Sequence, residues 1–326
     1  MINLGIIGLG GVAKWLHIPQ ANASGKFFIK AAADIYPDNG TAKRLGIPEY
    51  YTDYRQLLQD PQIDAVLVAS PHDCHEEHCI AAFEAGMHVL IEKPISRNLQ
   101  GAQRIISAAE KAGTVGMIGF CERFDPVHMY IKDLLEEKQL GKLLSARIDH
   151  YQNFNPAPGS WWRNEEKVGG GSVIGSGVHR LDLLRWYFGE PVSVYARAVG
   201  MPGRLEAEAC AHAVIQFDSG VIANFSINWA SYNYLYYEGL SISGEDGLVV
   251  TGPANKLGLA HIDNGALKDF TPPDCPSMYD HFAHCIETGT QPLTSLEEGY
   301  KTLQLVRAIY ESVSTGLPVN PASVCI

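Results

Sequence analysis

The chain has 326 residues, 46% of them hydrophobic and 19% charged, with a formal net charge of −11. That balance is globular rather than disordered, leaves room for two domains, and sets a field that repels nucleic acid and anionic membrane. Met1–Gly8 has no charged leader, no run approaches the roughly 20 apolar residues of a membrane span, and seven cysteines without a C-x-x-C pair read as reduced thiols of a soluble, cytoplasmic protein.

The first third alternates short apolar runs with amphipathic stretches. The pattern predicts strands at Ile2–Ile7, Ile29–Ala33, Ala65–Ala69, His88–Ile91 and Val115–Ile118, with helices such as Asp73–Glu84 and Leu99–Ala112 between them. Strand and helix in turn imply an α/β Rossmann domain, a doubly wound parallel sheet with right-handed crossovers. The first strand runs into Gly8-Leu9-Gly10-Gly11-Val12-Ala13, which contains G-x-G-x-x-A. Gly8 permits the tight turn, Gly10 lets a pyrophosphate approach the backbone, and Ala13 lets helix pack on strand. The helix start at Gly11 and Val12 supplies N–H groups and a positive dipole end to the phosphates. Asp34 ends the second strand, where a carboxylate accepts ribose hydroxyls and repels a 2′-phosphate. Ile35 and Tyr36 offer that phosphate no cation. The cofactor expected is NAD rather than NADP.

His72, Cys74, His75, His78 and Cys79 look like a metal cluster, but no second ligand set is spaced to complete a tetrahedron, so no metal is expected. Next, the strand His88–Ile91 stops abruptly at Glu92-Lys93-Pro94. Open α/β sheets bind ligands at the carboxyl ends of their strands. Lys93 is therefore a candidate general base, since desolvation and a positive nicotinamide ring would both favour the neutral amine. A lysine at a strand end is usually just solvated, and the position alone does not decide.

After about residue 120 the pattern changes. A helix at Pro126–Lys138 leads into a strand at Lys142–Gln152, and Gly169-Gly170-Gly171 opens a helix carrying His179 and Asp182. Alternating segments follow, such as Ala211–Phe217 and Val221–Asn228, with turns at Asp218-Ser219-Gly220 and Asp263-Asn264-Gly265. A last helix spans Leu296–Thr315. The expected organisation is a Rossmann domain over 1–121 and an α+β domain over 122–326 with a large, open, mostly antiparallel sheet. Tyr151, Phe154, Trp161 and Trp162 gather near the expected cleft and could stack on a sugar face, and Asn153, Asn155 and Asn228 could bond hydroxyls. Tyr232, Tyr234, Tyr236 and Tyr237 crowd one later strand, which reads as a sheet face or an oligomer contact. No arginine cluster announces a phosphorylated substrate, which favours a neutral one.

Several of these segments together resemble the glucose–fructose oxidoreductase/inositol dehydrogenase (Gfo/Idh/MocA) family. They are the glycine loop, Ala69-Ser70-Pro71 with His75, Ala85 through Pro94, Glu122-Arg123-Phe124-Asp125-Pro126, Trp162-Arg163, and Gly169-Gly170-Gly171 followed by Gly177 through Asp182. The resemblance covers essentially the whole chain. It implies reversible hydride transfer between NAD and a secondary alcohol of a neutral sugar, glycoside or cyclic polyol, in a homodimer or homotetramer. It also implies that Lys93 is the catalytic lysine and His179 the histidine ordering the reacting hydroxyl, with Ser70, Pro71, His75, Glu92, Lys93 and Arg163 at the cofactor. Arg123, Tyr151, Trp161, Trp162 and Asp182 are the further candidates for substrate contact. One departure is Gly175, where many members have an aspartate four residues before the histidine. That gap keeps open the reading of a non-catalytic NAD-binding regulator, while Lys93 and His179 suit equally a glycosidase or epimerase that recycles its NAD in place.

Overall fold

A computed structural model describes residues 1–231, 237–251, 257–261 and 268–324. Tyr232, Tyr234, Tyr236, the Tyr237 side chain, the turn at Asp263-Asn264-Gly265 and Cys325 lie outside the described parts. Two compact units form, one of Met1–Cys121 with Pro276–Tyr300, the other of Glu122–Cys275 with Lys301–Ile326.

The first unit holds β1 (Ile2–Ile7), β2 (Phe27–Ala33), β3 (Glu49–Tyr51), β4 (Ala65–Val68), β5 (His88–Ile91) and β6 (Gly116–Ile118), in the order β3-β2-β1-β4-β5-β6. Every pair is parallel. The central strands are apolar on both faces, as a sheet covered on both sides requires, and Leu4, Ile6, Val66, Leu67, Val89 and Leu90 are buried. Register levels the carboxyl ends, because Ile7 pairs with both Ala33 and Val68, and Val68 with Ile91. Pairing then continues one residue further, with Gly8 N–H donating to Ala33 O, Ala69 N–H to Ile7 O and Glu92 N–H to Val68 O. Gly8, Asp34, Ser70 and Lys93 thus leave the sheet along one edge, at the switch between β1 and β4 where strand order reverses.

Residues 276–300, which follow the 121/122 boundary expected from sequence, pack in this first unit. The helix Met278–Thr288 begins with a capping box between Ser277 and Asp280, and Phe282 stacks on Phe27 at 5.9 Å.

The second unit holds β7 (Leu143–Tyr151), β8 (Pro191–Gly200), β9 (Glu208–Phe217), β10 (Ile222–Asn228), β11 (Tyr237–Gly244), β12 (Gly247–Thr251), β13 (Leu257–His261) and β14 (Lys268–Phe270). Their order is β14-β13-β12-β11-β7-β10-β9-β8, and β7–β10 is the one parallel pair among them. One face carries Ala146, Ile148, Ala223, Phe225 and Ile227, all buried. Phe225 packs on Gly177, at the start of the helix Val178–Phe188. The opposite face is open, with Tyr195, Val199, Val214 and Ile222 exposed.

Candidate active site

The first unit presents a phosphate cradle. Gly8 has φ +95, and a Cβ there would lie 2.6 Å from Ala69 O, so only glycine fits the turn against β4. A Cβ added to Gly10 or Gly11 would meet nothing within 4 Å, so their backbone stands open to close approach. Behind them a π-helical turn, Ala13–His17, runs into the helix Ile18–Ser24. Asp34 accepts from Leu9 N–H at 2.9 Å and from Tyr36 N–H at 3.2 Å, which ties the carboxylate to the glycine loop. An open backbone, a helix start and an acidic group at the end of β2 fit a nicotinamide dinucleotide.

The neighbouring strand ends are braced by imidazoles. His75 is wholly buried, its Nδ1 2.8 Å from Pro94 O and its Nε2 2.9 Å from Ser70 O. Burial lowers its pKa, against the two carbonyls, which favour the proton. His78 meets Ser70 Oγ at 2.9 Å, and burial first, then the charge of His75, pull its pKa down to about 4. Cys79 is fully buried, which pushes its thiol well up. The residues that resemble a metal cluster are thus engaged locally, and no group of three that could hold a metal occurs among the described residues.

Lys93 itself is half-buried at the end of β5, and its peptide bond to Pro94 is cis. Its N–H donates to Glu92 Oε2 at 3.0 Å, while Glu92 Oε1 takes a hydrogen bond from His17 Nε2 at 2.7 Å. Glu92 is 6% exposed with both oxygens engaged inside the protein. Burial opposes its charge, but His17, then Lys93 and His75, hold its pKa below the ordinary carboxylate value. Sequence reasoning misses His17. It stands 75 residues from Glu92, and no spacing rule links them.

In the second unit His179 lies at the start of its helix, after a π-helical turn, Val173–Gly177. Its Nδ1 is 4.0 Å from Glu122 Oε1, and Arg180 pairs with both Glu122 and Glu238. Asp182 and Arg123, both candidates for substrate contact from sequence, are joined to each other by bonds of 2.8 and 2.7 Å, with both side chains about 2% exposed or less. Thr302 Oγ1 donates to Asp182 Oδ1 as well, at 3.3 Å. Arg163 donates to Pro156 O at 2.8 Å and Gly203 O at 3.2 Å, pinning loops of its own unit.

The aromatic group is real but differently composed. Trp161 stacks on Trp162 at 4.2 Å, and Phe154 and Trp162 both pack on Trp229, at 4.4 and 5.9 Å. Trp229 Nε1 donates to Ser176 Oγ at 3.0 Å, and Gln152 Nε2 to the same atom at 2.9 Å. A Cβ on Gly175 would sit 2.3 Å from Trp229 Cη2, so the indole fills the space an aspartate would need. Tyr151 does not join the group. Alternation along β7 sends it to the open face, where its hydroxyl meets Ser226 Oγ at 2.8 Å beside Asp149 and Arg147. Asn153 is taken up by Arg204 at 2.6 Å.

Nucleotide cradle, braced lysine and sheet-backed second unit define an NAD-binding oxidoreductase. Residues 2–120 match the oxidoreductase family with an NAD-binding Rossmann fold, and 128–250 match the GFO/IDH/MocA C-terminal domain, so the chain belongs to the Gfo/Idh/MocA family. It is 30% identical to myo-inositol 2-dehydrogenase of Thermotoga maritima over 76% of this chain and 74% of that protein. It is 29% identical to D-xylose 1-dehydrogenase (NADP(+)) 2 of Haloferax volcanii over 97% and 98%. A levoglucosan dehydrogenase solved with NADH superposes with a TM-score of 0.90 over 99% of this chain and 100% of that one, at 24% identity.

Proposed function

We propose that the protein is an NAD-dependent dehydrogenase of a secondary alcohol on a neutral sugar, glycoside or cyclic polyol. The observation that carries this reading is Lys93 at the carboxyl end of β5, on the same sheet edge as the Gly8–Asp34 cradle. When bound, the nicotinamide supplies hydride exchange with the substrate carbon. Gly8, Gly10, Gly11 and Val12 hold the phosphates and Asp34 the ribose, which favours NAD over NADP. Ser70 and Pro71 line the same edge. Lys93 takes the hydroxyl proton, and His179 orients that hydroxyl, with Glu122 the carboxylate beside it. Trp161 and Trp162 stack against the apolar face of the ring.

The substrate class follows the relatives, which act on D-xylose, myo-inositol and levoglucosan by name. We further infer a homodimer or homotetramer formed through the open sheet face, because Tyr195, Val199, Val214 and Ile222 make an exposed apolar strip there. The six described cysteines are thiols, which suits the cytoplasm.

The test is NAD reduction across D-xylose, levoglucosan, glucose and myo-inositol, with NADP in parallel. Lys93→Met should keep NAD binding and lose roughly 10²–10⁴-fold in turnover. Near-normal turnover in that variant gives the base role to His179. No reduction with any substrate, although NAD binds, sinks the dehydrogenase reading. Light scattering at micromolar concentration checks the assembly, and a monomer refutes it.

A further inference from the structure

We propose that the buried series Tyr279–His17–Glu92 is a positioning network for Lys93, holding the lysine's peptide by its N–H and keeping a fixed carboxylate beside it in the chain. The inference rests on the reading of Lys93 as the base.

Three segments far apart in sequence supply the series, all within the first unit. His17 and Tyr279 are 0% exposed and Glu92 is 6%. Tyr279 Oη lies 3.0 Å from His17 Nδ1, His17 Nε2 lies 2.7 Å from Glu92 Oε1, and Glu92 Oε2 accepts the Lys93 N–H at 3.0 Å. A carboxylate on Nε2 makes that nitrogen the donor. In a neutral ring Nδ1 then accepts from the tyrosine hydroxyl. Burial, with the charge of Glu92, pushes Tyr279 well above the ordinary phenol value, so its hydroxyl keeps the proton this bond requires. The series is thus fully satisfied from end to end.

Such a network is not the cheapest filling for the space. Phe27 packs edge-on against Tyr279 at 5.3 Å and stacks on Phe282, so the surroundings are apolar. Removing an ionised carboxylate from water costs several kcal/mol, and well-packed apolar side chains are often at least as stable as a buried ion pair. What the polar series adds is orientation. Its terminal bond is made to the lysine's own peptide, and His75 Nδ1 approaches Pro94 O at 2.8 Å on the other side of that residue. The backbone is fixed before and after Lys93 while its side chain stays half-exposed, the arrangement a positioned acid–base group needs. His17 also sits in a π-helical turn, a distortion that recurs where a side chain must be re-aimed. The groups facing Glu92 are His17, Lys93 and His75, each of which favours its charged form.

The experiment uses Glu92→Gln and His17→Ala in the full chain, each alone and combined with Lys93→Met. NADH affinity by fluorescence titration should stay within roughly threefold, since, against the cofactor contact that the family resemblance implies for Glu92, both its oxygens are engaged inside the protein and His17 is wholly buried. Turnover on the best sugar of the panel should fall roughly 10–100-fold at little changed KM, the scale on which a misplacement of about 1 Å acts. In the Lys93→Met background the same changes should add less than about twofold, because residues acting through one group are not additive. A second readout needs no substrate. In cofactor-free protein, trinitrobenzenesulfonate should label Lys93 roughly threefold or more faster in Glu92→Gln than in the parent, since the amide has one oxygen where the carboxylate uses two to hold His17 and the Lys93 peptide, and the lysine is released to the reagent. Other lysines should be unchanged. Equal labelling of Lys93 overturns the proposal, as does a loss carried wholly by NADH affinity. If Lys93→Met alone keeps its turnover, the base assignment has failed, while the labelling still decides whether Glu92 governs the lysine. Should Glu92→Gln not fold, His17→Asn tests the same series one step further back.

Discussion

Asp34 Oδ2 anchors Leu9 N–H and so shapes the glycine loop, and in the proposed function its charge also faces the ribose 2′ position. Asp34→Arg should therefore shift preference toward NADP by at least about tenfold, roughly 1.4 kcal/mol. It should also weaken NAD, because the loop loses its acceptor. Paired titrations with both cofactors check this, and equal affinities in the unmutated protein contradict the assignment. Gly175 poses the opposite problem, a site with no room. A Cβ there meets Trp229 at 2.3 and 2.5 Å, and that indole is 1% exposed. Gly175→Asp, which from sequence alone looks like a simple restoration, should cost about 1–3 kcal/mol from overpacking, with a buried charge in addition. Trp229→Ala in the same chain should recover part of the loss. Urea unfolding of the two single variants and the double decides, and strict additivity would show that Trp229 is not the obstacle.

At the scale of elements, the helix bearing His179 is held from behind. Tyr310 Oη accepts from Gly171 N–H at 3.2 Å and Ile174 N–H at 3.3 Å, and donates to Glu208 Oε1, which itself takes Val173 N–H at 2.8 Å. Burial raises the Glu208 pKa, against these hydrogen bonds. Tyr310→Phe leaves two N–H groups and a buried carboxyl short of a partner. It should cost about 1–3 kcal/mol and speed amide exchange across 171–177. Unchanged exchange there would mean the anchor lies elsewhere. None of this was legible in the sequence, because Tyr310 is more than 100 residues from each of these partners. Five strands of the first unit were legible, since a doubly covered parallel sheet writes continuous apolar runs, and so was the lysine at the end of β5; β3, three residues of Glu-Tyr-Tyr at the sheet edge, carries no such run. The π-helical turns were not, as their apolar spacing resembles that of an ordinary helix. Nor was the place of Met278–Thr288, whose apolar stripe says that it is buried but not against which core. Alternation along β7 could have separated Tyr151 from the tryptophans, had its register been known.

The molecule as a whole buries several histidines in neutral form, and that fixes a pH dependence. His128 is 6% exposed, its Nδ1 2.8 Å from Tyr187 Oη, and burial first, then the charge of Arg180, lower its pKa to about 3. In the unfolded chain the same ring titrates near 6.5. Above that pH neither state takes the proton, and the group contributes no slope. Below it the unfolded chain binds a proton that the folded protein refuses until about pH 3, so stability falls as pH falls. The slope approaches about 1.4 kcal/mol per pH unit for each such group. His75 and His78 act in the same direction, and Glu92 adds its own loss at lower pH, as its depressed carboxylate is finally protonated. Unfolding free energy measured in urea should thus be lower at about pH 5 than at about pH 7.5, with His128 supplying about 2 kcal/mol of the difference. His128→Asn cannot take up a proton in either state. Whatever it does to stability at neutral pH, it should narrow the gap between the two conditions by that amount. An unchanged gap would mean that His128 is already charged in the folded protein, or that water reaches it.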